Sequence, residues 1–249
     1  MVDFASLLVV AGTFLIAGSV KGIIGLGLPP VSLALLTVAL DLPTAMALML
    51  IPSFVTNIWQ SMVGGNARAI LVRIWPFLAM ATLTVWIGAA ALTRVNLTYL
   101  TALLGSLLII YAVVNLAGIK IVVPRRHEVW AGPLIGSANG MLTGMTGSFA
   151  VPGVMFLQAI GLPKSMLIQA MGMLFMVSTV ALAAALQQAN FLTLQTGVMS
   201  AVAVLPALAG MAIGQRIRER LSEQVFRKVF FISLLILGAY IIINTLQKL

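Results

Sequence analysis

Few residues in this chain can do chemistry, and they cluster. Lys21 stands in an apolar run and is followed by Gly22, Gly25, Gly27, Pro29 and Pro30 in "VKGIIGLGLPPVSLAL". A second run, "ANGMLTGMTGSFAVPG", places Asn139 where the first has Lys21, then Thr143, Gly144, Gly147 and Ser148. A third, "PSFVTNIWQS", spaces Ser53, Asn57 and Ser61 four apart, with Gln60 three beyond Asn57, so that they form one polar stripe on a helix. Glycines open backbone geometries closed to other residues, and prolines suit the first turn of a fresh helix. Each glycine run is therefore expected to end one helix and start another. The new N-terminus presents unpaired N–H groups and the positive end of a dipole. An ammonium beside such an end is a site for an anion.

Each reading has a plainer rival. Lys21 could snorkel to a membrane face. The glycines could be small residues that let helices pack closely. The stripe of Ser53, Asn57 and Gln60 lines a path or bonds helices together, and the residues alone leave both open. Breaks are favoured because glycine and proline coincide twice at matching places. Ser148 is a candidate cap for the second. Gln169, Ser178 and Thr179 are weaker counterparts of the stripe, and Gln158 is placed in or near the same path.

The elements that must hold these residues lie in a bilayer. The chain has 249 residues, 61% hydrophobic and 8% charged, against about 25% charged in soluble domains. It has no cysteine and one histidine, His127, so thiolate and His-cluster metal sites are out, and no cofactor is expected. The net charge of +9 sits in short loops, which reads as membrane topology and not as nucleic-acid binding. Asp3 near the start and the absence of a basic leader make the first apolar run a span, not a cleaved signal.

Ten apolar segments follow one another: 5–20, 29–40, 44–63, 72–92, 97–118, 129–142, 150–161, 165–186, 192–212 and 227–246. Segments two and seven span about 18 Å as helix, short of a hydrocarbon core of about 30 Å. Segments one and six are also short, so each pair reads as a broken hairpin with its apex inside the protein. Gly27 to Pro43 and Gly147 to Pro163 have the same spacing, and "YAVVN" at Tyr111–Asn115 is echoed by "YIIIN" at Tyr240–Asn244. An internal duplication follows: residues 1–120, a cytoplasmic linker 121–128, and residues 129–249. Ten crossings put 12 of the 14 basic residues on one face, with only Arg94 and Lys248 opposite. That face is the cytoplasm, and both termini lie outside. Five segments per half invert the second repeat relative to the first, with a site near the midplane at the repeat interface. The fold class is an all-α membrane protein of two inverted five-segment repeats.

The carboxylates Asp3, Asp41, Glu128, Glu219 and Glu223 all fall in or beside loops. Only Asp41, at the outer end of segment two, is a candidate for the buried acid that proton-driven carriers often keep, and a helix-flanking role is favoured for it. With the cytoplasm negative, each anion charge that leaves gains about 2.3 kcal/mol per 100 mV. Export therefore needs no coupling ion, whereas import needs one whose ligands are not visible. No catalytic constellation stands out, so the chain is not read as an enzyme. It has no large extramembrane loops to suggest a scaffold.

The two glycine turns, each followed by "LP" and another helix, are joined by "IPSFVTNIWQSMVGG" and "GMAIGQRIRERLSEQVFRKVFFISLLILGAY". This ordered set resembles the TauE/SafE family of membrane transporters over nearly the whole chain. The resemblance implies export of sulfite, of sulfonates, or of a related small organic anion. An anion channel and an importer are the alternatives. The expected location is a bacterial inner membrane, with a small anion and lipid as partners and a homodimer as an allowed assembly. The candidate substrate contacts are Lys21, Gly22, Gly25, Gly27, Asn57, Gln60, Asn139, Thr143, Gly144, Gly147 and Ser148.

Overall fold

The structure is a computed structural model that describes residues 4–119, 121–218 and 222–247. Asp3, Lys120, Glu219, Arg220 and Lys248, which enter the charge reading above, lie outside the described residues. Among those described, the chain is all helical with no strand. In order the helices are α1 (Phe4–Ile24), α2 (Leu28–Ala39), α3 (Leu42–Met62), α4 (Ala67–Leu83), α5 (Val85–Ala89), α6 (Leu97–Leu116), α7 (Glu128–Thr146), α8 (Met155–Ala159), α9 (Lys164–Gln188), α10 (Leu194–Val202), α11 (Val204–Arg218) and α12 (Glu223–Leu246). Seven stretches are long and apolar enough to span a bilayer: α1, α3, α4–α5 with the turn after it, α6, α9, α10–α11 and α12. The chain is a multi-pass membrane protein.

Two of the remaining segments are short apolar helices, α2 and the stretch Ala150–Ala159. The third is α7, whose glycines, Ser137, Asn139 and threonines dilute its hydropathy. The first and sixth segments differ from expectation. The sequence reading ended them at residues 20 and 142, but α1 runs to Ile24 and α7 to Thr146. Gly22 and Gly144 lie inside helices, not in breaks. The reason is packing. A Cβ on Gly22 would collide with the Met211 carbonyl, and one on Gly144 with the Val85 carbonyl.

The chain forms two compact units. The first takes residues 1–52, 96–118 and 191–249, the second residues 53–95 and 119–190. In the first unit α1 packs along α11. Gly18 and Gly22 of α1 face the backbone of Ala207 and Met211, and Gly210 and Gly214 of α11 face Leu15 and Ser19. Lipid is as apolar as leucine, so helices in a bilayer associate through close packing more than through hydrophobic burial. Here each glycine α-hydrogen points at a carbonyl oxygen, a weak attraction that only glycine permits.

Alongside, α6 meets α12 through Gly105 and Gly238, and the Tyr111 ring stands edge-on to Phe231 at 5.3 Å. Pro52 inside α3 has no N–H for the Leu48 carbonyl one turn back. Ser200 of α10 closes that gap. Its hydroxyl donates to the Leu48 carbonyl at 2.8 Å and accepts from the Ile51 N–H at 3.1 Å.

In the second unit α7 lies along α4 and α5. Gly136, Gly140 and Gly144 sit against the backbone of Phe77, Ala81 and Val85, and Gly88 against Met141. The Thr84 hydroxyl reaches the Met80 and Ser137 carbonyls at 2.7 and 2.9 Å. Arg73 grips Glu128 with two hydrogen bonds of 2.9 and 2.7 Å and donates a third, of 2.7 Å, to the Ile160 carbonyl. One guanidinium thus ties the starts of α4 and α7 to the end of α8, the planar fork being suited to such a contact.

Candidate functional site

In the first unit, Lys21 lies one turn before the end of α1 and is 4% exposed. Its carbonyl accepts the Gly25 N–H at 2.8 Å, which closes the helix. Gly25 has φ 77° and Gly27 φ 117°, both in the left-handed region. A Cβ on Gly27 would also strike Val20 and crowd the Phe230 ring. Leu28 then begins α2, with Pro29 and Pro30 in its first turn. The prolines fix the turn but carry no N–H. The expectation of a row of unpaired donors at this end is corrected accordingly: the first N–H after the prolines, that of Val31, is bonded to the Gly27 carbonyl at 2.9 Å. Its burial sets Lys21 apart from a side chain reaching out into solvent at a membrane face.

The second unit holds the other break. Gly147 has φ 73° and ends α7, its N–H bonded to the Thr143 carbonyl at 2.7 Å. The chain kinks again at Val151, which is extended, before running on into α8. Ser148 was expected to cap this second helix, but Asn139 does so. The Asn139 Oδ1 accepts the Gly153 N–H at 2.9 Å across the break. Gly153 is glycine because a Cβ would press on the Asn139 amide. Thr143 donates to the Ser148 carbonyl at 3.1 Å, and the Ser148 N–H donates to Thr146 at 3.2 Å. The Asn139–Gly153 bond was missed in the sequence. Its signal is the "VPG" of Val151–Gly153, a helix start that needs an acceptor.

Ser53, Asn57 and Gln60 are buried in the second unit, as are Gln169, Ser178 and Thr179 of α9. The two glutamines act as glue. Gln60 donates to the Ile168 carbonyl and Gln169 to the Ser61 carbonyl, both at 2.9 Å, and Gln169 also accepts the Asn66 N–H at 3.1 Å. The close approach depends on Gly172, where a Cβ would meet the backbone of Gln60 and Ser61. Gln158, placed by the sequence in the path, is part-exposed on α8. Several polar atoms of this unit nevertheless lack a hydrogen-bond partner: Ser53 Oγ, Gln60 Oε1, Asn139 Nδ2, Ser148 Oγ and Ser178 Oγ. Buried polar atoms are nearly always paired, so each one that is not calls for an explanation, and a ligand or water is one. No group of three or more metal-binding side chains occurs among the described residues.

The family model for the sulfite exporter TauE/SafE matches residues 10–241. The chain belongs to the TauE/SafE family. Members are transporters, and the match spans both glycine breaks and every helix from α1 to α12. Comparisons with curated proteins and with solved structures found no match.

Proposed function

We propose that this TauE/SafE protein exports a small anion, sulfite or an organosulfonate, across a bacterial inner membrane. The observation that carries the reading is the buried ammonium of Lys21, one turn from a glycine break in a chain with few charges. A buried charge is costly in a bilayer and is kept where it serves a pathway. In this reading Lys21, beside the first unit's break, carries the charge an anion needs. The second unit's break has neutral donors of its own in Asn139 and Ser148, on a backbone fixed by Gly147 and Thr143. Gly25 and Gly27 shape the first break, whereas Gly22 holds α1 against α11 and Gly144 holds α7 against α5. Asn57 belongs to the buried polar stripe of the second unit, and Gln60 acts mainly by clasping α3 to α9.

The inverted five-segment repeat is part of the proposal. Its support is a recurring pairing. In the first unit the first segment of one half, α1, packs on the fourth of the other, α11; in the second unit α7 packs on α4–α5 in the same way. Carriers built like this rock one element set against another around a fixed site. An anion channel is the alternative. Binding separates the reading from a structural role for Lys21. Purified protein titrated with sulfite, then with small sulfonates, is expected to show saturable heat and a raised Tm with at least one of them. No response to any of these anions would overturn the substrate class.

A further inference from the structure

The half-helix α2 has a second end. Its last turn opens on a cavity of about 220 Å³ in the first unit, lined by Thr37, Asp41, Thr98, Thr101, Asn244 and Thr245 together with apolar side chains. These six come from four places: the end of α2, the residue before α3, the first turns of α6 and the last turn of α12. Their chemistry is uniform. One carboxylate, four hydroxyls and an amide offer hard oxygen donors, and among the described residues no cationic side chain lines the cavity. The Asp41 carboxylate accepts the Thr44 N–H at 2.9 Å on one oxygen and the Thr44 hydroxyl at 2.7 Å on the other. A carboxylate has about four acceptor positions, so each oxygen keeps capacity for another partner. Asp41 forms no ion pair among the described residues. The Thr37 hydroxyl is buried without a hydrogen-bond partner.

The backbone adds to this. The C-terminal ends of α2 and α12 both reach the cavity and bring the negative ends of their dipoles. The N-terminal ends of α3 and α6 are also near, but each has a capping acceptor. Asp41 takes the Thr44 N–H, and Asn96 takes the Thr98 N–H at 2.9 Å. Half-helix C-termini and side-chain oxygens are the means by which transporters hold small cations.

We propose that this cavity binds one sodium ion. A single carboxylate balances a single positive charge, whereas tight divalent sites gather several carboxylates or many carbonyls. The volume leaves room for the ion with some of its water, each water taking about 30 Å³. Basic-loop asymmetry assigns this end of α2 to the outer side, where sodium is the abundant alkali cation. Export does not require a coupling ion, and the site would add one. Sodium moving inward as an anion moves outward gains from the membrane potential on both counts. The coupling rests on the transport reading above; the binding does not.

The test uses the purified full chain with no sulfite or sulfonate present. Thermal unfolding is followed as sodium chloride replaces choline chloride at constant ionic strength, with potassium chloride in parallel. Sodium is expected to raise Tm saturably, potassium to do so less, and choline not at all. Asp41→Asn keeps a capping acceptor for the Thr44 N–H and is expected to lose the sodium response while folding normally. Thr98→Val is expected to shift the sodium midpoint upward about tenfold, the loss of one good ligand. Identical curves in the three salts would overturn the proposal, as would a response that potassium matches or that survives in Asp41→Asn. Should Asp41→Asn fail to fold, an unchanged midpoint in Thr98→Val overturns it on its own.

Discussion

Lys21 is the residue on which the account turns. At an effective dielectric near 20, two unit charges 4 Å apart attract by about 4 kcal/mol before desolvation is subtracted. A net quarter of that is about fivefold in affinity. Lys21→Met is therefore expected to weaken sulfite or sulfonate binding at least about fivefold with little change in Tm. Lys21→Arg keeps the charge, alters reach and donor geometry, and should recover only part of the loss. Calorimetric titration of both variants checks this, and an unchanged Kd in Lys21→Met would move the anion elsewhere. Ser200 gives a purely structural counterpart. Ser200→Ala removes the hydroxyl that donates to the carbonyl Pro52 leaves open, and is expected to cost about 1–3 kcal/mol of stability without affecting Kd. A thermal melt would show it.

Among elements, the glycines divide into two kinds, and the division yields a prediction. Gly18, Gly22, Gly136, Gly140 and Gly144 lie in helices and admit a neighbouring backbone; Gly25, Gly27 and Gly147 carry positive φ and turn the chain. Gly140→Val is expected to separate α7 from α4–α5 and lower Tm strongly, because the added atoms meet Thr84 and the Ala81 backbone with no side chain able to yield enough. Gly65→Ala, where a Cβ would meet nothing, should be far milder and lose only what its positive φ demands. Equal losses in the two would remove the packing argument. The helix breaks at Gly25–Gly27 and after Gly147 were legible, since proline and glycine in "GLGLPP" and "SFAVPG" leave the helix few options, but the first segment, expected to be short, is long enough to span. Their limits were not. A glycine in a break and a glycine in a helix crossing look alike until the partner helix is known, and those partners, α11 and α4–α5, are far away in sequence. For the same reason Asn139 was picked as a site residue, yet its bond to Gly153 needed the backbone of the kink to be seen.

For the whole molecule, composition alone settled the class, and the charge pattern proposed the orientation. The structure sharpens that pattern by removing residues that do other work. Lys21 is buried and Arg73 is tied to Glu128. Of the remaining described basic residues, Arg68, Arg125, Arg126, Lys164, Arg216, Arg218, Arg227 and Lys228 are exposed on the proposed cytoplasmic side, and Arg94 is exposed on the other. The proposal that both termini lie outside rests on this count of eight against one. A C-terminal tag is expected to be cleaved by protease added to intact spheroplasts, and its protection would contradict the inverted arrangement. The two compact units could not be read from the sequence, because each gathers elements from both halves and is defined by long-range packing.

The most direct test of the central claim is flux. Purified protein in liposomes loaded with sulfite, or separately with a small sulfonate, is given an inside-negative potential, and anion release is followed with time. The account predicts saturable efflux that the potential accelerates, exchange with the same anion outside when the potential is collapsed, and loss of both in Lys21→Met. Release no faster than from protein-free liposomes for every anion tried, or release that neither saturates nor shows exchange, would contradict it.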